Sequence, residues 1–263
     1  MSEEARTGAP PTVVLVHGAF ADGSSWNGVI ERLQAAGLPV IAPAVPLRGI
    51  ASDAAYVAGV LSETPGPVVA VGHSYGGAVI TNAATQAKNV VGLVFVAAFA
   101  PDEGERLGEV AASSKDSVLM SALVQHRLPE TNGGEPGIEF SVDPARFRDA
   151  FAADLPADKA AVLAATQRPV SETGFSDASG PPAWKALPSW AVVATGDKAA
   201  GADLVRRMAE RAGATITEVD GSHVVMISQP QAVTDVILTA VAATSSSEST
   251  GWANAVVEAY LTD

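Results

Sequence analysis

Short apolar runs alternate with amphipathic stretches along most of the chain. Residues 12–16 (TVVLV), 38–42, 68–71, 90–98, 190–195 and 215–219 are rich in β-branched and other apolar side chains, and each is bounded by turn-forming residues. That pattern predicts strands. The run at 90–98 shows no polar alternation, as expected of a strand covered by helices on both faces of a parallel sheet. Between the runs, 23–36 places Trp26, Val29, Ile30 and Leu33 on one helical face, and Gly37 supplies the stop. Ser52-Asp53 is placed to cap a helix running to about residue 62. Further helices are expected over 76–87, 202–212 and 224–243. The chain therefore reads as α/β, with a mostly parallel central sheet and helices on both faces.

From residue 101 to 187 the alternation stops. Stretches 105–126, 144–155 and 157–167 look helical, separated by a Gly/Pro-rich loop at 129–137. This block is expected to be a helical cap inserted over the sheet. The division that follows is a disordered leader (1–11), a core (12–100 and 188–243), the cap (101–187), and a polar linker with a short C-terminal helix (244–263). In that last piece Trp252, Val256, Tyr260 and Leu261 are spaced to dock on the body or on a neighbouring chain. No internal repeat is visible.

Composition narrows the function classes. The 263 residues are 48% hydrophobic, enough for a substantial core, and carry a net charge of −13. Such a surface repels nucleic-acid phosphates and anionic membranes. There is no cysteine, which removes disulfides, thiol catalysis and cysteine metal sites. No H-E-x-x-H or carboxylate cluster points to a metal, and no cofactor is expected. The N-terminus has no apolar signal segment, and no apolar run reaches the length of a membrane span. A cytoplasmic monomer or homodimer acting on a small molecule is the expectation.

The sharpest chemical signal is Gly72-His73-Ser74-Tyr75-Gly76, a G-x-S-x-G between a predicted strand and a predicted helix. The pentapeptide alone is weak; its strand–turn–helix setting is what marks Ser74 as a nucleophile. Acyl transfer by serine also needs a base, an acid to orient that base, and an oxyanion hole. His223, in a Gly-Ser-His loop after the last strand, is the candidate base. His17 and His73 read as packing residues, and His126 as a residue of the cap surface. Asp197, following the strand at 190–195, is the first choice of acid, and Asp102, after the strand at 90–98, is the alternative. Backbone N–H groups of Tyr75 and of Ala19, with Phe20 second, are the expected oxyanion donors. Phe99, Trp184, Met226, Leu119, Met120 and Leu123 are candidates for an apolar substrate pocket, with core packing as the competing role.

Five stretches, VLVHGAFADGSSW, VGHSYGGAVI, VFVAAFAPDEGE, VVATGDKA and GSHVVMISQPQAV, together resemble the motifs of the α/β-hydrolase superfamily in their expected order. The resemblance covers residues 12–243 and is greatest to the branch holding plant-type methylesterases, hydroxynitrile lyases and bacterial esterase-like hydrolases. It implies the α/β-hydrolase fold and the chain order nucleophile, acid, base, met here by Ser74, Asp197 and His223. It further implies hydrolysis of a small neutral or apolar carboxylic ester, or lactone, through an acyl-enzyme. The lyases of the branch carry threonine where this chain has Gly18 and lysine where it has Val224, and both departures count against cyanohydrin cleavage. Dehalogenases and epoxide hydrolases use aspartate at the elbow, so Ser74 argues against them. A lyase or perhydrolase using the same residues, and a non-catalytic ligand-binding protein on the same scaffold, are the alternatives.

Overall fold

A computed structural model describes residues 10–128 and 137–245. Most of the expected leader, residues 129–136 of the Gly/Pro-rich loop, and the C-terminal piece from residue 246 lie outside the described residues. In chain order the strands are β1 (Thr12–Val16), β2 (Val40–Ile41), β3 (Val68–His73), β4 (Val90–Val96), β5 (Leu123–Arg127), β6 (Ile138–Val142), β7 (Val170–Ser171), β8 (Ser189–Ala194) and β9 (Thr215–Val219). Six of them form one parallel sheet in the order β2-β1-β3-β4-β8-β9. β1, β3 and β8 are buried along their whole length, which is why they read as unbroken apolar runs.

The sheet order places the helices. From β1 the chain steps outward to β2, then returns past β1 to β3 and continues to β4, β8 and β9. With right-handed crossovers, the helix Asn27–Ala35 falls on one face, and the helices Ile50–Glu63 and Tyr75–Ala83 on the other. The final helix, Pro230–Thr244, packs on Asn27–Ala35 and on β4 and β8, so it shares the first face. The direction of strand addition reverses between β1 and β3. Loops leaving the C-terminal ends of those two strands flank a crevice, the usual place for a site in such sheets.

Several elements differ from expectation. The helix 23–36 begins as a 3-10 turn, Gly23–Trp26, capped by the Asp22 side chain. It ends as expected at Gly37 (φ 78°), where the Leu38 N–H reaches the Leu33 carbonyl and the Gly37 N–H reaches that of Gln34. The helix Ile50–Glu63 starts at Gly49, not at Ser52-Asp53. The stretch 224–243 is two helices, Val225–Ser228 and Pro230–Thr244, because Pro230 has no N–H to continue the first.

The block between β4 and β8 holds the largest correction. No continuous helix spans 105–126: short helices at Leu107–Ala111 and Leu119–Ala122 are followed by β5. β5, β6 and β7 form a small antiparallel sheet. Helices Pro144–Phe151 and Ala157–Thr166 form as expected and pack on each other. The block is thus helical with a three-stranded antiparallel sheet as well. Among the described residues, no helix is long and apolar enough to cross a membrane.

Candidate active site

β3 delivers Ser74 through a turn too tight for side chains on either side. Ser74 itself sits at φ 52°, ψ −122°, a strained setting for a non-glycine residue. A Cβ on Gly72 would lie 2.5 Å from the Gly76 carbonyl oxygen, and one on Gly76 would lie 2.3 Å from that of Val16. Glycine is therefore the residue that lets the elbow close against β1. Ser74 is the N-cap of the helix Tyr75–Ala83, so the hydroxyl lies at the positive end of a helix.

His223 and Asp197 leave β9 and β8 on loops that meet. The His223 Nδ1 lies 2.9 Å from Asp197 Oδ2, with both residues about 1% exposed. Asp197 Oδ1 accepts from the N–H groups of Ala199 (2.8 Å) and Ala200 (3.1 Å), which compensate its buried charge. A carboxylate oxygen accepts, so this bond is donated by the His223 Nδ1–H and Nε2 is the second ring nitrogen. That buried Nε2 has no protein partner among the described residues. One ring nitrogen is thus fixed by a carboxylate and the other is left without a partner among those residues.

Asp102, the alternative acid, is engaged elsewhere. It pairs with Lys185 Nζ at 2.5 Å, which holds its carboxyl below the usual carboxylate range. The Nδ1 of His223 is already taken by Asp197.

The two other histidines near the elbow are buried and neutral. His17 Nε2 accepts from the Val45 N–H at 3.0 Å, and its Nδ1–H donates to the Gly18 carbonyl at 2.9 Å. His73 Nε2–H donates to the His223 carbonyl at 2.9 Å, tying the elbow to the base loop. Burial pushes both imidazoles below their ordinary value, most strongly His73, where the neighbouring His223 adds to the effect. His126 is exposed on β5 and bonds Ser141.

Of the expected oxyanion donors, Ala19 and Tyr75 N–H have no intramolecular acceptor among the described residues. Phe20 does not share that freedom: its N–H donates to the Arg168 carbonyl of the cap at 3.2 Å. Its φ of 61° turns the chain so that its side chain enters the core. Phe20 is therefore corrected from donor to wall.

The six pocket candidates make the following contacts. Phe99 donates its N–H to the Ser74 carbonyl and Met226 is fully buried. Trp184 bonds the Pro101 carbonyl and faces Lys185 and Arg211. Leu119 and Leu123 pack within the cap, and Met120 is half-exposed. A cavity does lie at the junction of cap and core, and none of the six lines it. Phe20, Phe147, Phe151, Leu163, Val224 and Ile227 form its apolar wall, with Asp22 and two serines at the rim. At about 20 Å³ it holds roughly one water. Phe151 separates it from the base, its ring centroid 4.8 Å from that of His223.

Two carboxylates near the site make contacts that sequence reading does not foresee: Asp53 reads there only as a helix cap, and Asp154 is not singled out. Asp53, in the first turn of Ile50–Glu63, is fully buried and accepts from Tyr75 Oη at 2.8 Å and from the Arg48 N–H at 3.1 Å. Asp154 of the cap accepts from the Ser222 N–H at 2.9 Å and from its hydroxyl. Nothing local in sequence marks either contact. Among the described residues no group of His, Asp and Glu side chains is placed to hold a metal ion.

The fold and site define an α/β-hydrolase, and sequence comparison agrees: residues 13–236 match the model of an alpha/beta hydrolase family. The chain belongs to that family. No curated protein matches it in sequence. Solved structures share the fold at low identity. Polyneuridine aldehyde esterase matches with a TM-score of 0.75 at 21% identity, over 88% of this chain and 99% of its own. Tomato methylketone synthase I, complexed with 2-tridecanone, gives 0.72 at 19%, over 90% and 99%. A pyrethroid hydrolase from Sphingobium faniae JZ-2 gives 0.70 at 20%, over 89% and 98%.

Proposed function

We propose that the chain is a serine hydrolase that cleaves a small neutral or apolar carboxylic ester, or lactone, through an acyl-enzyme. The observation that carries this reading is the buried His223–Asp197 bond with a free Nε2, combined with a strained serine on a nucleophile elbow. Ser74 Oγ attacks the ester carbonyl carbon while its proton passes to His223 Nε2. The negative charge gathering on the carbonyl oxygen is received by the N–H groups of Ala19 and Tyr75. Asp197 steadies the imidazolium. The tetrahedral adduct collapses, the alkoxide leaves with the proton from Nε2, and the acyl group stays on Ser74. Water then attacks the acyl carbon, gives its proton to Nε2, and the acid departs as Ser74 is reprotonated.

Charge and the ring beside His223 support the substrate class. A net charge of −13 disfavours polyanions, and the Phe151 ring against His223 is apolar. Two of the structural relatives carry the names of an esterase and a hydrolase, in keeping with ester chemistry. Steady-state hydrolysis of a p-nitrophenyl ester series tests the reading. Ser74→Ala is expected to lose about 10⁴-fold or more in kcat while melting as the wild type does. A folded Ser74→Ala protein with near-wild-type turnover overturns it.

A further inference from the structure

The base is gripped from two sides. From the core, Asp197 holds the His223 Nδ1 and His73 holds its backbone carbonyl. One hydrogen bond at Nδ1 fixes a point on the imidazole, and the His73 ring, its centroid 4.7 Å away at 49°, flanks the imidazole from the core. From the cap, Phe151 lies edge-on to the imidazole at 66°, backed by Phe147 at 5.0 Å and Phe20 at 6.0 Å. Three residues on, Asp154 accepts both the N–H and the hydroxyl of Ser222, the residue before His223. The chain is so close there that a Cβ on Gly221 would lie 3.1 Å from Asp154 Oδ2. Asp154 is itself exposed, whereas Ser222 is buried, so the carboxylate reaches inward from the cap surface.

We propose that cap residues 151–154 are a positioning clamp for His223, with Asp154 setting the base loop and Phe151 the tilt of the ring, so that the base is aligned only while the cap is seated. This rests on the reading of His223 as the general base. Neither residue takes part in bond making. Their effect is geometric, and misplacing a catalytic group by about 1 Å costs on the order of 100-fold in rate.

Pre-steady-state acylation by p-nitrophenyl acetate, normalised to folded protein by circular dichroism, tests the clamp. Asp154→Ala is expected to lower the acylation rate constant about tenfold, with half-saturation unchanged within twofold. Asp154→Asn keeps one acceptor and is expected to lose about three- to fivefold. Phe151→Leu, which keeps apolar bulk but loses the ring edge, shifts the rate in the same direction. The low-field proton resonance of the His223–Asp197 bond is expected to broaden in Asp154→Ala. An Asp154→Ala rate within twofold of wild type overturns the clamp, as does a loss confined to half-saturation, which marks a substrate contact instead. If Asp154→Ala does not fold, an Asp154→Asn rate within twofold of wild type overturns it. His223→Ala, run alongside, separates the two levels: acylation of that variant at the wild-type rate refutes the general-base reading itself.

Discussion

Asp53 offers a quantitative test of how the elbow is supported. The carboxylate is fully buried, takes the Tyr75 phenol at 2.8 Å and the Arg48 N–H at 3.1 Å, and so anchors the residue whose own N–H is a proposed oxyanion donor. Asp53→Ala orphans two donors, at about 1–3 kcal/mol each, and relieves part of that by removing a buried charge. A net loss of about 3 kcal/mol follows, or about 6–12 °C in Tm for a chain of this size. Burial raises the Asp53 carboxyl above its usual value even though Tyr75 and Arg48 bonds oppose the shift. A carboxyl raised in the folded state contributes stability that is full below its unfolded value, about 3.9, and is lost as pH rises through its folded value. Asp53→Asn keeps the Tyr75 bond and has no titration. It therefore compares worst with wild type in acid and best near neutral pH, where its cost is below about 1 kcal/mol. Thermal melts of both variants from pH 4 to 8 check this. An Asp53→Ala loss under about 1 kcal/mol, or an Asp53→Asn deficit that grows toward neutral pH, refutes the reasoning.

Other outcomes follow from the same structure. His17 and His73 are held neutral by burial, so their stabilising contribution is full above the unfolded value of about 6.5 and is lost as pH falls below it. Urea unfolding at fixed temperature is expected to show stability dropping from pH 7 to 5 by up to about 1.4 kcal/mol per pH unit for each group; a flat profile contradicts this. Gly76→Ala forces a Cβ to 2.3 Å from the Val16 carbonyl oxygen, and at least about 3 kcal/mol of stability should go with it, read as a collapse in Tm. Asp197→Asn is expected to lower ester turnover about 10³–10⁴-fold, while Asp102→Asn, which removes only a surface pair with Lys185, stays within about twofold.

What was legible in the sequence was whatever is local. β1, β3, β4 and β8 announce themselves because helices cover both faces of the sheet and leave them almost wholly apolar; β9, more exposed at the edge, is carried instead by its β-branched residues. The elbow is equally local, since Gly72 and Gly76 are dictated by contacts within the turn and with β1. The stretch 105–126 misled because its apolar spacing suits a helix, while Ser114 ends it: the hydroxyl accepts the N–H groups of Asp116 and Ser117 and turns the chain. The strand that follows depends on β6, a partner the local pattern does not reveal. Asp53 and Asp154 were hidden for the same reason, each meeting its partner across 22 and 68 residues of chain. Phe20 was misplaced as a donor because only the folded cap brings the Arg168 carbonyl to its N–H.

The central claim is an activated serine at position 74, and labelling with a fluorophosphonate followed by intact-mass spectrometry tests it most directly. The account predicts a single adduct on wild-type protein, mapped to Ser74 by peptide analysis and absent from Ser74→Ala. An unlabelled wild type, or an adduct that survives in Ser74→Ala, contradicts it.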